Sequence, residues 1–229
     1  MTNRLAELMK TGQSVWFDNL TRGMIDGGEI ARMIEEDDLR GMTSNPTIFE
    51  KAIVGSAEYD SQLRALVSEG RGVQEIYEGL VLQDIGRAAD LFRPVYDRHS
   101  GRDGFISLEV DPRLAYQTGP TVSEAERLRD ALDRPNVMIK IPASQEGIPA
   151  IEEAIYRGVS VNITMIFSVE NYEQVAEAYI RGLERRAAEG KSVEGIASVA
   201  SFFVSRVDTA VDSELERLAR EAATEEEKA

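Results

Sequence analysis

The sequence predicts an α/β fold carried on a parallel sheet, and three observations lead there. Six short β-rich runs recur along the 229 residues. Between them lie segments whose apolar residues repeat with the 3.6-residue period of a helix. The runs are largely apolar rather than cleanly alternating, as expected of strands covered on both faces. Strand and helix taking turns in this way is the pattern of α/β proteins.

The strand candidates are SVWFDNL (14–20), LRGMTSN (39–45), GFISLEVD (104–111), NVMIKIPA (136–143), VSVNITMIF (159–167) and GIASVASFFV (195–204). Helical periodicity is carried by Ile30, Met33 and Ile34, and by Leu128 and Leu132. It continues in Ile148, Ile151 and Ile155, then in Val175, Tyr179 and Leu183. The longest connection joins the second and third strands. It holds helical patterns at 46–54, 57–69 and about 73–97 and reads as an insertion within one domain. Asn45 followed by Pro46 is a helix start, because proline suits the first helical position. Ser123 with Glu126 reads as a capping box ahead of ERLRDAL, and Ser168 as the N-cap of a helix reaching about residue 189. The tail DSELERLAREAATEEEKA reads as an acidic helix with a solvated face.

Six strand–helix units are two short of a closed eight-stranded barrel, whereas an open doubly wound sheet takes six without remainder. Polar residues favour the barrel. Each run carries at least one near its C-terminal end: Asp18, Asn45, Glu109, Lys140, Asn162 with Thr164, and Ser201 followed by Arg206. Ligands of parallel α/β folds bind at that end of the strands. A barrel would bring all of these groups to one mouth, and an open sheet would spread the outer ones apart. Pattern alone does not decide between the two, but convergence on one mouth is the economical account of so many polar groups in otherwise apolar runs.

Composition narrows the chemistry. The absence of cysteine excludes disulfides, thiolate nucleophiles and Cys-based metal sites. The single His99 lies in the turn-like stretch DRHSGRDG, which leaves most histidine-based metal sites unavailable and makes a loop role the plain reading. No EF-hand spacing is present, and no metal is expected. A net charge of −15 argues against nucleic acid and anionic membrane as partners, since both need a basic face. It leaves room for a small phosphorylated ligand, which needs one or two local cations. The N-terminal MTNRLAELMK lacks the apolar stretch of a secretory signal, and no run approaches about 18 apolar residues, so a cytoplasmic location is expected. Neither GxGxxG after a strand nor GxxxxGK[ST] occurs, which disfavours a nucleotide-binding oxidoreductase.

The residue that departs furthest from its surroundings is Lys140, in the middle of VMIKIPAS (137–144). A lysine in an apolar strand is paired, snorkelling or present for chemistry. In a low-dielectric pocket some of the amine is neutral, and a neutral amine attacks a ketone to form a Schiff base. Carbon–carbon cleavage by that route needs a carboxyl to move the proton of the substrate hydroxyl. It needs a second carboxylate for the water, amide or hydroxyl groups for the ketose, and a cation for any phosphate. Asp18, Glu109, Asn45 with Thr164, and Arg206 fit those places. The plain alternatives are a helix cap at Asp18 and a simple ion pair between Glu109 and Lys140.

The chain resembles the transaldolases, in their longer bacterial branch. The segments that carry the resemblance are SVWFDNLTR, GMTSNPTIFEKAI, ISLEVDPRLA, NVMIKIPAS, VSVNITMIFS and SVASFFVSRVD, in family order over nearly the whole chain. The resemblance implies that Lys140 is the Schiff-base lysine and Asp18 the acid/base at the bond being cleaved. Glu109 would hold the catalytic water with Thr164. Asn45 and Asn162, with Ser201 and Phe203 beside them, would contact the dihydroxyacetone unit, and Arg206 the phosphate. The implied reaction converts sedoheptulose 7-phosphate and glyceraldehyde 3-phosphate into erythrose 4-phosphate and fructose 6-phosphate, without a cofactor, in the pentose phosphate pathway.

The family pattern continues through two more strand–helix units, and nothing after Arg206 reads as a strand. The chain is accordingly expected to be one domain, 1–229, an incomplete (β/α)8, or TIM-type, barrel of six parallel strands with a helical insertion between strands 2 and 3. It is expected to be truncated at its C-terminal side, with exposed edges on the first and sixth strands. A homodimer is one open arrangement. The alternatives are a Schiff-base aldolase that releases free dihydroxyacetone, and an inactive barrel that only binds.

Overall fold

The computed structural model describes residues 3–222. All six expected strands are present: β1 (Val15–Phe17), β2 (Leu39–Thr43), β3 (Phe105–Glu109), β4 (Val137–Pro142), β5 (Val161–Ile166) and β6 (Ser198–Phe202). They form a single sheet in the order β1-β2-β3-β4-β5-β6, and every neighbouring pair is parallel. Strand after strand, each takes the place beside its predecessor, which is the winding of a (β/α)8-type barrel and not of a doubly wound sheet. Among the described residues β1 and β6 pair on one side only. Phe17 and Phe202, on those two edges, are each 37% exposed.

The helices are α1 (Arg4–Leu8), α2 (Arg22–Asp26), α3 (Glu29–Glu36), α4 (Pro46–Gly55), α5 (Asp60–Ser68), α6 (Val73–Arg98), α7 (Thr118–Leu132), α8 (Gly147–Tyr156), α9 (Val169–Ala188) and α10 (Val204–Glu221). The insertion between β2 and β3 supplies α4, α5 and α6, as its periodicity predicts. No described helix is long and apolar enough to cross a membrane.

The two faces of the sheet differ in kind. Ile106 and Leu108 of β3, Val137, Ile139 and Ile141 of β4, and Val161 and Ile163 of β5 pack with the helices. Their partners include Ile85 and Phe92 of α6, Leu128 of α7, Ile151 and Ile155 of α8, and Val175 of α9. The alternate positions therefore point to the inner face: Ser107 and Glu109, Met138 and Lys140, Asn162 and Thr164. The core lies between sheet and helices, and the polar residues are grouped on the side that the helices do not cover.

A buried charged group ties α2 to the insertion. Arg22 Nε donates to Asp84 Oδ1 at 2.9 Å, and its guanidinium lies 4.3 Å from the centre of the Tyr59 ring. Burial raises the Asp84 carboxyl above its ordinary value, opposed by the Arg22 charge. Burial, helped by Asp84, also raises the Tyr59 phenol.

Local expectations fared unevenly. Asn45 caps α4 by accepting from Ile48 N at 3.0 Å, with Pro46 in the first turn. Ser168 caps α9 by accepting from Asn171 N. The capping box expected at Ser123 is corrected. Ser123 is inside α7, which starts at Thr118 after a tight turn at Pro112–Leu114. Pro120 falls in the first turn of α7, where a missing N–H costs no intrahelical bond. His99 ends α6, beside the Arg40 guanidinium. The acidic tail is helical through Glu221, and residues 223–229 lie outside the described residues.

Gly41 on β2 faces Trp16 of β1. A Cβ added there would stand 2.5 Å from the indole carbons. Gly41→Ala is expected to cost about 1–3 kcal/mol by overpacking. Urea unfolding followed by fluorescence of Trp16, the one tryptophan of the sequence, measures this directly.

Candidate active site

Parallel pairing sets the centre of the site. In the β3–β4 and β4–β5 registers, Glu109, Lys140 and Asn162 are partners in one row across three adjacent strands. Parallel neighbours in register point the same way, so the three side chains share the inner face at one height. Lys140 is 7% exposed. Its Nζ lies 3.5 Å from Glu109 Oε2 and donates to the carbonyl of Ser44 at 3.1 Å. Burial raises the Glu109 carboxyl above its ordinary value. The Lys140 charge opposes that rise, and the negative charge of Asp18 adds to it.

The other groups approach from both sides. Asp18, just past β1, accepts a hydrogen bond from Thr43 Oγ1 at 2.5 Å. It does not cap the following helix; Thr21 does that, accepting from Met24 N. Asn45 uses its side-chain oxygen on the α4 cap, which leaves its amide nitrogen without a partner among the described residues. Thr164 is buried beside Pro142 in the β4–β5 register. One residue later Met165 takes φ +64, in the left-handed region, where the β5–β6 register slips. Phe203, after β6, stacks on Phe167 with ring centres 5.2 Å apart. The Arg206 guanidinium lies 4.7 Å from the Phe203 ring centre, which gives that arginine a defined resting place.

These groups surround a cavity of about 550 Å³. Asp18, Asn45, Glu109, Lys140 and Thr164 line it, with Phe203 and Arg206 on its β6 side. Groups from β1 and from beyond β6 meet at one space only because the sheet curls. Asn162 and Ser201 are not on the cavity wall. Asn162 is fully buried, donates to Ser107 Oγ at 2.9 Å, and accepts from Ser201 Oγ at 2.8 Å. As folded, both amide groups are occupied by protein partners. This chain of polar contacts braces the inner face beside Lys140.

The sequence model of the family described as Transaldolase/Fructose-6-phosphate aldolase matches residues 15–229. The chain belongs to that family. A protein named Transaldolase from Trichodesmium erythraeum (strain IMS101) is 49% identical over 229 residues, covering 100% of this chain and 60% of the relative. Transaldolase 2 of Nostoc punctiforme is 51% identical over 208 residues, covering 91% and 55%. Transaldolase of Acidothermus cellulolyticus is 50% identical over 222 residues, covering 97% and 60%. The chain thus spans between half and two thirds of the length of these curated relatives.

Membership in the family leaves several contributing residues that sequence reasoning did not single out. Thr43 and Ser44 hold Asp18 and Lys140 respectively, the latter through a backbone carbonyl that no sequence pattern reveals. Ser107 accepts from Asn162 through its hydroxyl and from Ser44 Oγ, at 2.8 Å, through its carbonyl. A signal for Ser107 did exist, because it stands two residues before Glu109 and so shares its face. Ser107→Ala would leave the buried Asn162 amide without its acceptor, at a cost of about 1–3 kcal/mol. Chemical denaturation of the variant against the parent checks this; an unchanged midpoint would mean that the amide finds another partner.

Proposed function

We propose that this chain works as a transaldolase, moving a dihydroxyacetone unit between sugar phosphates through a Schiff base on a lysine. The observation that carries the reading is a buried lysine amine 3.5 Å from a carboxylate, in a cavity that also holds a second carboxylate and a cation.

The deprotonated Lys140 amine attacks the ketose carbonyl at C2 and gives a carbinolamine. Loss of water, with Glu109 and Thr164 handling the water and its protons, gives the iminium. Asp18 takes the proton of the C4 hydroxyl. The C3–C4 bond breaks, its electron pair enters the iminium, and an aldehyde leaves while an enamine stays on Lys140. Addition of that enamine to a second aldehyde, with Asp18 returning the proton, forms the new ketose iminium. Water then releases the product and regenerates the amine. Asn45 and Phe203 border the space of the three-carbon unit, and Arg206 is placed to meet a phosphate. Asn162 and Ser201 act by holding the inner face, or contact substrate after giving up their mutual hydrogen bond. On this reading the reaction belongs to the pentose phosphate pathway of the cytoplasm and uses no cofactor.

A second reading keeps the same enamine but lets a proton, not an aldehyde, capture it, so that free dihydroxyacetone is released. The family description favours retaining it, because that description joins transaldolase with fructose-6-phosphate aldolase. Product formation that depends on an added aldehyde acceptor separates the two.

Incubation with fructose 6-phosphate, borohydride reduction and peptide mass spectrometry should place a three-carbon adduct on Lys140. A label on another lysine, or none, contradicts the assignment. For Glu109, the sign of the pH effect follows from burial. A carboxyl raised above its ordinary value stays protonated to higher pH. The base form is therefore lost as pH falls through that raised value, and the acid limb of the pH–rate profile should lie above the range of a free glutamate. Glu109→Gln should remove that limb and slow turnover by about 10²–10⁴-fold. A limb that survives the substitution would assign it to another group.

A further inference from the structure

We infer that Lys51 is a second anion-recognising residue of the site, one that selects phosphorylated over unphosphorylated sugars; this rests on the Schiff-base reading above. Lys51 is on α4 and lines the same cavity as Lys140. Thr47 and Ile48 line it too, and spacings of four and three put all three on one face of the helix. The amine is therefore carried on the side of α4 that looks into the mouth.

Its partners, or their absence, make the argument. Most cations of this chain are held by carboxylates, and Lys140 itself is beside Glu109. Among the described residues Lys51 has neither an ion pair nor a hydrogen bond, and Arg206 rests on an aromatic ring with no carboxylate in reach. Two uncompensated cations facing one cavity are unusual in a molecule of net charge −15. With Lys140 they set three cations against the two carboxylates Asp18 and Glu109 on the cavity wall, and an excess of cations favours small anions. Lys51 follows β2 and Arg206 follows β6, so the two stand on opposite sides of Lys140 in strand order. The ligand class that fits is a phosphate monoester: a compact dianion that a flexible ammonium meets as a point charge.

The test has two parts. The first acylates lysines with a limiting amine reagent and quantifies modification by mass spectrometry, with Lys10 and Lys191 as surface references. Inorganic phosphate and fructose 6-phosphate should protect Lys51 several-fold, and fructose should not. No protection by phosphate, or equal protection by fructose, overturns the inference whether or not Lys140 forms an imine. The second part compares trapping of fructose 6-phosphate and fructose on Lys140. Lys51→Gln should lower the preference for the phosphorylated sugar roughly tenfold at low salt, and Lys51→Arg should keep most of it. An unchanged preference in Lys51→Gln overturns the inference. Absence of any adduct on Lys140 in the parent chain defeats the Schiff-base reading instead, and leaves the protection result to decide the role of Lys51.

Discussion

A lysine amine taken out of water needs a polar environment, and in this fold the β3–β4 register supplies it. Glu109 and Lys140 are register partners, so the alignment that builds the sheet also sets their 3.5 Å separation. A slip of one residue would turn Lys140 into the layer where Ile139 and Ile141 meet the helices, and would bury its charge without a partner. Burying a charge alone costs several kcal/mol, so the pair constrains the register as well as the chemistry. The Ser44 carbonyl, at 3.1 Å, ties the end of β2, two strands away, to the same amine.

The rest of the site is a consequence of winding six parallel strands in chain order. Their C-terminal ends gather around one cavity, where groups from the β1 end and from beyond β6 face a common space. The helical insertion contributes in two ways. Its first helix, α4, is started by Asn45 and borders the cavity with Lys51, while its long α6 packs against the outer face of the sheet. Beside Lys140, the contacts of Asn162 with Ser107 and with Ser201 fill the inner face with paired polar groups. A paired network of this kind stiffens the surface from which the Lys140 amine projects.

Much of this was legible in the chain because it depends on local pattern. The six strands, the three helices of the insertion and the caps at Asn45 and Ser168 follow from periodicity and capping chemistry, which act over a few residues. Seven of the nine predicted site residues meet at one cavity because each stands in the C-terminal half of a strand or just beyond it, where the winding brings them together. What escaped depends on longer-range geometry. Ser123 and Glu126 imitate a cap, while the turn at Pro112–Leu114 delivers the chain into α7 with its cap position at Gln117, six residues earlier. The internal pairing of Asn162 with Ser107 and Ser201 joins residues 55 and 39 apart in sequence, and no local signal announces it. Nor does sequence show that a backbone carbonyl, Ser44, would be the closest partner of the lysine.

The account stands on where the Lys140 amine points and what surrounds it when a ketose arrives. A crystal structure of the chain after exposure to fructose 6-phosphate and reduction would show this directly. The expected result is continuous density from Lys140 Nζ to the central carbon of a three-carbon unit, with Glu109 and Thr164 on one side of it and Asp18 on the other. Density attached to a different lysine, or a Lys140 turned toward the helices with its two carboxylates out of reach, would contradict it.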